Sequence, residues 1–273
     1  MIDCHVHTAR CGHAEGDAAS YVAAAARAGL EVLCFTEHLP LPADIDPDHH
    51  YSMPESELPA YIAEVEALGR GAQALESVGD GGPVVVLAGI EADWLPGRMD
   101  RAEALVSSQP FDVVLGSVHF IDGWAFDDPS LLATWDAVDV DEIWRSYFAH
   151  VADAARSGLF DVMAHPDLVK KFGHRPAFDP RELYEFTAQA FAAAGVAIEV
   201  STAGLRKPVE ELYPSPELLG ACRRAGVPAT MGSDAHSPAE VGFRLDAARA
   251  ALLGAGYESV VYFEKRQPKE VAL

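Results

Sequence analysis

Ile2-Asp3-Cys4-His5-Val6-His7 opens the chain, and Met231-Gly232-Ser233-Asp234-Ala235-His236 lies near its other end. Each is a short strand-like run that ends in two metal-ligand residue types, two positions apart. Side chains on a strand alternate between its faces, so His5 and His7 share one face and can grip one cation. Asp234 and His236 form a second such pair. Between these ends the same pattern recurs. Val32–Phe35 runs into Thr36-Glu37-His38, Val84–Leu87 leads to Glu91, and Asp112–Val118 leads to His119. Phe160–Ala164 delivers His165, and Val227–Met231 delivers Asp234 and His236. Val196–Val200 leads instead into Ser201-Thr202-Ala203-Gly204-Leu205-Arg206-Lys207. A single histidine after a strand is ordinarily a cap or a surface group. Ligand types at the same end of six strands are how a barrel-like α/β protein builds a polynuclear metal site. His13 completes the set, whereas His49-His50 in a Pro-rich loop and His150 in a helix read as surface residues.

Helical patterns separate the strands. They cover Ala18–Ala28, about Glu55–Leu75, Asp139–Ser157, Arg181–Ala194, Pro216–Ala225 and Ala239–Leu253, and a last strand is expected at Val260–Phe263. Asp17 is a plausible N-cap, and Gly29 follows the first helix. Strand alternating with helix argues for a parallel sheet with helices outside. The loop Leu39–Ser52 is polar and Pro-rich, and the long loop Asp122–Trp135 is a candidate functional segment.

A length of 273 residues suits one large α/β barrel or two small domains, with a sizeable core. No linker or composition break divides it, so residues 1–273 are expected to form a single domain. Asp plus Glu number 42 against 20 Lys plus Arg, giving a formal charge of -22. Such a surface disfavours nucleic acid and anionic membranes as partners. An anionic small substrate stays compatible, because bound cations invert the local field. No heptad repeat marks a partner helix. The four cysteines form no CxxC pair, which suits a reduced, cytoplasmic protein. Cys34 reads as core. Cys4 and Cys11 flank ligand types, and alternation turns Cys4 away from His5 and His7. No basic, apolar leader and no membrane-length apolar run is visible.

These residues resemble the polymerase and histidinol phosphatase (PHP) superfamily over nearly the whole chain. The motifs are His5-Val6-His7, Thr36-Glu37-His38, Gly89-Ile90-Glu91, Gly116-Ser117-Val118-His119, Ala164-His165-Pro166 and Gly232-Ser233-Asp234-Ala235-His236. Cys11-Gly12-His13-Ala14-Glu15-Gly16, Glu91 to Gly97, Lys170 to His174 and Thr202 to Pro208 look like its histidinol-phosphatase branch. The resemblance implies a distorted seven-stranded (β/α)7 TIM-like barrel with three divalent metal ions, zinc, iron or manganese. On this sequence His5, His7, Glu91 and Asp234 would hold one metal. Glu91 would bridge to a second, completed by His119 and His165, and His13, His38 and His236 would hold the third.

The implied reaction is hydrolysis of L-histidinol phosphate, with activated water attacking phosphorus in line. Arg206 is the first candidate for the phosphate clamp, since a guanidinium pairs bidentately with phosphate. Lys171 and Lys207 are further candidates. Asp93 and Trp94 could meet the substrate's ammonium or imidazole, and Asp93, Asp234 or His236 could protonate the leaving alkoxide. Three other readings compete: a general phosphoesterase acting on nucleotides or other small esters, a non-catalytic metal-binding module, and an amidohydrolase. The last is disfavoured because no Lys sits at a strand-end ligand position.

Overall fold

The structure, a computed structural model, describes residues 1–74 and 83–273. Seven strands make one all-parallel sheet in the order β1 (Ile2–Val6), β2 (Val32–His38), β3 (Val85–Asp93), β4 (Val113–Ser117), β7 (Val162–Met163), β8 (Ala197–Ser201) and β9 (Ala229–Gly232). Two short strands, β5 (Phe120–Ile121) and β6 (Trp124–Ala125), form a hairpin within the long loop after β4. The sheet closes where the chain leaving β9 meets β1. His7 N–H donates to Ala235 O at 2.9 Å, and Asp234 N–H to His5 O at 2.8 Å. The pairing of β1 with β2 shifts between Asp3 and Val6, so β1 carries a bulge. Bulges occur beside active sites because they re-aim side chains.

The strands read as apolar runs because both sheet faces are covered. β1, β4, β8 and β9 are buried along their whole lengths. Helices α1 (Ala18–Arg27), α2 (Leu58–Ala74), α3 (Asp100–Ser107), α4 (Val140–Arg156), α5 (Arg181–Ala194), α6 (Pro216–Arg224) and α7 (Leu245–Ala255) cover the outside. α4 shows how sequence sets this layer. Asp139 caps it by accepting from the Asp141 and Glu142 N–H groups. Trp144, Tyr147, Phe148, Val151 and Ala155 then recur at helical spacing and are buried. Each large side chain of that stripe contributes roughly 1.5–3 kcal/mol of burial.

The expected strands match within a few residues at each end, and β3 runs on to include Glu91 and Asp93. The helix expected from Glu55 starts as a single 3-10 turn before α2, and its expected last residue, Leu75, lies outside the described residues. The last helix starts at Leu245, not Ala239. Gly242 (φ 72°) and Arg244 (φ 49°) take left-handed conformations that a helix cannot contain. Residues 239–244 instead form turns that carry Glu240 to the site. The last expected strand is half of a hairpin, β10 (Ser259–Glu264) with β11 (Gln267–Ala272). β10 packs on β9 and β4, beside a small void shared by Cys4, Cys34, Tyr262 and Phe263. It closes the end of the barrel opposite the histidines. β11 is exposed and polar, so no apolar pattern announced it.

Candidate metal centre and active site

All nine expected ligands converge where the barrel strands end. Glu91 stands in the middle, and its two oxygens face different groups. Oε2 lies 3.1 Å from His38 Nδ1, 3.4 Å from His5 Nε2 and 3.6 Å from His7 Nε2. Oε1 lies 2.9 Å from His165 Nε2 and 3.9 Å from His119 Nε2. Asp234 Oδ1 is 3.2 Å from His7 Nε2 and 3.8 Å from His5 Nε2. His13 and His236 approach from the rim with their Nε2 atoms 3.1 Å apart.

Carboxylates and carbonyls behind the rings aim these nitrogens inward. Glu199 Oε1 holds His5 Nδ1 at 2.8 Å, Glu37 Oε1 holds His7 Nδ1 at 3.3 Å, and Asp93 Oδ1 holds His119 Nδ1 at 2.9 Å. Backbone carbonyls of Cys11 and Asp234 lie 3.1 Å from Nδ1 of His13 and His236 respectively. A proton on Nδ1 leaves Nε2 as a lone pair, the form that binds metal. Glu37 is itself fixed by the Thr8 N–H, the Thr8 hydroxyl and the His38 N–H.

Electrostatics divides the histidines. Burial opposes charge on His5, but Glu199, Glu91 and Asp234 hold it well above its ordinary value. Against the same penalty, hydrogen bonds to Asp234 and Glu37 bring His7 up to about 9, and Asp93 brings His119 up to about 10. Burial and the charge of His7 push His38 and His236 well below their usual value, so both are neutral lone-pair donors. Burial would raise Glu91 and Asp234, yet the neighbouring imidazoles hold both ionised.

This donor set fits divalent cations. Inward-turned Nε2 atoms of His5 and His7 lie only 3.1 Å apart, and lone pairs that close repel unless a proton or a cation is shared between them. Glu91 Oε2 is buried without a hydrogen-bond partner. The buried triplet His5-Glu91-His165 and the partly exposed triplet His5-His7-Asp234 each have donor atoms within 4.8 Å of one another. Two of the ligands are also strained: His165 (φ 26°) and Asp234 (φ 52°) hold left-handed conformations that cost a non-glycine residue about 1–3 kcal/mol.

A cavity of about 430 Å³ opens over the cluster. Arg206, Lys171 and Lys207 all line it. Arg206 Nη2 donates to the Ser233 and Asp234 carbonyls at 2.9 and 3.0 Å, its Nε lies 3.2 Å from Glu240, and its Nη1 is buried with no partner. Lys171 Nζ is paired with Asp127 at 2.9 Å. Asp93 also borders the cavity, but Oδ1 is spent on His119 and on the backbone N–H of that residue. Trp94, expected beside the substrate, packs on the apolar core and does not line the cavity. His50 is exposed as expected, yet it sits on the cavity rim and its carbonyl lies 3.2 Å from His13 Nδ1. Cys11 donates its thiol to Thr8 O and is buried.

Sequence reasoning missed Glu199. A lone carboxylate inside the apolar run Ala197-Ile198-Glu199-Val200 was its signal, since a buried charge demands a partner. Glu37 was visible in a motif but received no role.

A parallel (β/α) barrel with a histidine-carboxylate cluster at the C-terminal strand ends defines a class of metal-dependent hydrolase. The PHP domain family model matches residues 3–203, and the chain belongs to that family. It is 41% identical to a probable histidinol-phosphatase of Deinococcus radiodurans, covering 98% of this chain and 99% of that one. It is 26% identical to the histidinol-phosphatase of Bacillus subtilis, covering 90% and 97%. Among solved structures it superposes on the histidinol phosphate phosphatase of Lactococcus lactis, complexed with zinc, L-histidinol and phosphate. That match has a TM-score of 0.79 and 24% identity, and it covers 98% of each chain.

Proposed function

We infer that this protein is a metal-dependent phosphomonoesterase that hydrolyses L-histidinol phosphate to L-histidinol and phosphate. One observation carries the reading: Glu91 presents its two oxygens to separate histidine groups beneath a cavity lined by Arg206, whose buried Nη1 has no partner. The full-length relationship to the Deinococcus and Bacillus proteins supports the substrate assignment.

His5, His7, Glu91 and Asp234 would hold one divalent cation, Glu91 with His119 and His165 a second, and His13, His38 and His236 a third. Zinc, iron and manganese all suit these ligands. Bound cations would supply Lewis acidity and lower the pKa of water toward ~7. The chain does the rest. Arg206 Nη1 binds a phosphoryl oxygen, with Lys171 and Lys207 adding positive charge at the wall. Glu91 and Asp234 stay ionised and set the spacing of the ligand groups. His236 stays neutral, so it holds no imidazolium proton to give the leaving group. A cavity of about 430 Å³ suits a small phosphate ester. No helix among the described residues is long and apolar enough to cross a membrane, and all four cysteines are free and buried. Free thiols fit a reducing, cytoplasmic setting, and the enzyme acts as one domain over residues 1–273.

Phosphate release from L-histidinol phosphate by Zn²⁺- or Mn²⁺-loaded protein, beside nucleotides and generic monoesters, tests the reading. A kcat/KM for histidinol phosphate well above the panel is expected. A nucleotide preference would overturn the substrate and keep the phosphatase.

A further inference from the structure

We propose that the Tyr213 hydroxyl is a substrate-binding group, donating a hydrogen bond to a phosphoryl oxygen of the ester and of the product phosphate. This rests on the phosphomonoesterase reading but not on which alcohol the ester carries. Five hydroxyls among the described residues are buried without a partner: those of Ser117, Thr187, Tyr213, Ser215 and Thr230. Of these, only Tyr213 borders the cavity over the histidine cluster. A buried hydroxyl with nothing to bond costs about 1–3 kcal/mol against the same site made apolar. Phenylalanine would fill this position with the same ring, so the hydroxyl is an expense that packing does not explain.

The ring is also held more firmly than packing alone requires. Tyr213 exchanges both backbone hydrogen bonds with Ser201 at the end of β8, at 2.6 and 3.0 Å. Buried Lys170 donates to the neighbouring Leu212 carbonyl at 2.8 Å, and its ammonium lies 5.5 Å from the Tyr213 ring centroid. Asp167, 2.8 Å away, fixes that ammonium in turn. A Cβ on Gly204 would stand 3.0 Å from Tyr213 Cζ, so the backbone there leaves room for the phenol and little else. Tyr213 meets His165, an expected ligand, edge-on, with centroids 6.4 Å apart.

Tyr213 and Arg206, each with a buried donor that lacks a partner, therefore line one cavity from the same 203–213 segment. A tetrahedral oxyanion has acceptor oxygens enough for both while others face the cations. Tyrosine enters as a neutral donor, so no proton transfer is involved.

The test is Tyr213→Phe in metal-loaded protein, read by the affinity for inorganic phosphate in calorimetry, with metal content and Tm measured alongside. A hydrogen bond to a charged acceptor contributes about 1.5–3 kcal/mol, so phosphate should bind roughly 10- to 100-fold more weakly. Tm should stay level or rise, because an unpartnered hydroxyl is gone, and metal content should not change. Phosphate affinity within two-fold of the parent would overturn the proposal. So would a lower Tm with lost metal, which would make the hydroxyl structural. Tyr213→Leu, which removes the ring as well, should bind phosphate no better than Tyr213→Phe; equal or tighter binding than the parent would also refute the donor role. Phosphate binding is measured without any ester, so loss of the histidinol phosphate assignment would leave this result readable.

Discussion

Glu199→Gln is the substitution in which the structure makes its sharpest demand. Glu199 is buried and serves two donors at once: Oε1 takes His5 Nδ1–H at 2.8 Å, and Oε2 takes the His165 backbone N–H at 2.8 Å. Glutamine has the same shape but only one acceptor end. If its carbonyl faces His5, its amide N–H₂ meets the His165 N–H, and a buried donor is left unpaired at about 1–3 kcal/mol. If its amide faces His5, Nδ1 must accept, and the ring proton moves to Nε2. That nitrogen then loses the lone pair it presents toward His7, Glu91 and Asp234. Either choice damages the site. Loss of such an orienting partner costs about 10–100-fold in metal affinity. The stability cost, at roughly 2–4 °C per kcal/mol, lowers Tm by about 2–12 °C. Metal titration and calorimetry of the variant measure both quantities. Parental metal affinity together with parental Tm would refute the two-donor reasoning.

Four further outcomes follow from the geometry. Gly232→Ala should weaken metal binding from the other side of Glu199, because a Cβ there lies 2.5 Å from His5 Cβ and 2.6 Å from Glu199 Oε1; a destabilisation of about 1–3 kcal/mol by chemical denaturation is expected. His119→Ala or Asp234→Asn should abolish turnover and reduce bound metal by elemental analysis, and full activity with unchanged metal content would remove either from the site. Arg206→Ala should raise KM for a phosphomonoester by about 10-fold or more with a smaller change in kcat, checked by steady-state kinetics. In chelator-treated protein, His7 and His119 titrate near 9 and 10, above the ~6.5 of the unfolded chain, so the stability they add is complete below ~6.5 and is lost as pH rises through those values. Tm of the metal-free protein should therefore fall between about pH 7 and pH 10. Metal affinity should rise over the same range as protons cease to compete.

The strand-end histidines and carboxylates were legible because period-two alternation and the position of a residue just past an apolar run are local properties. His5 with His7, and each of Glu91, His119 and His165, could be placed at the mouth of a parallel barrel on that basis alone. The chain order of strand and helix likewise set the layers. What local pattern could not reach was whatever depends on the partner across the barrel. Glu199 orients His5 from 194 residues away, and Asp3 accepts from Ser233 and Gly242 across the seam that closes the sheet. The turns at residues 239–244 replaced an expected helical start because left-handed backbone there delivers Glu240 to Arg206. Asp93 borders the cavity as expected, and only the fold showed that its Oδ1 also holds His119. β11, polar and exposed, had no burial pattern to reveal it. Sequence by itself thus determined which residue types arrive at the site, since periodicity and strand order are written along the chain. Tertiary structure alone decided which oxygen faces which imidazole nitrogen, which ring stays neutral and which hydroxyl is left without a partner. Those properties arise from burial and from distances between strands that the sequence keeps far apart.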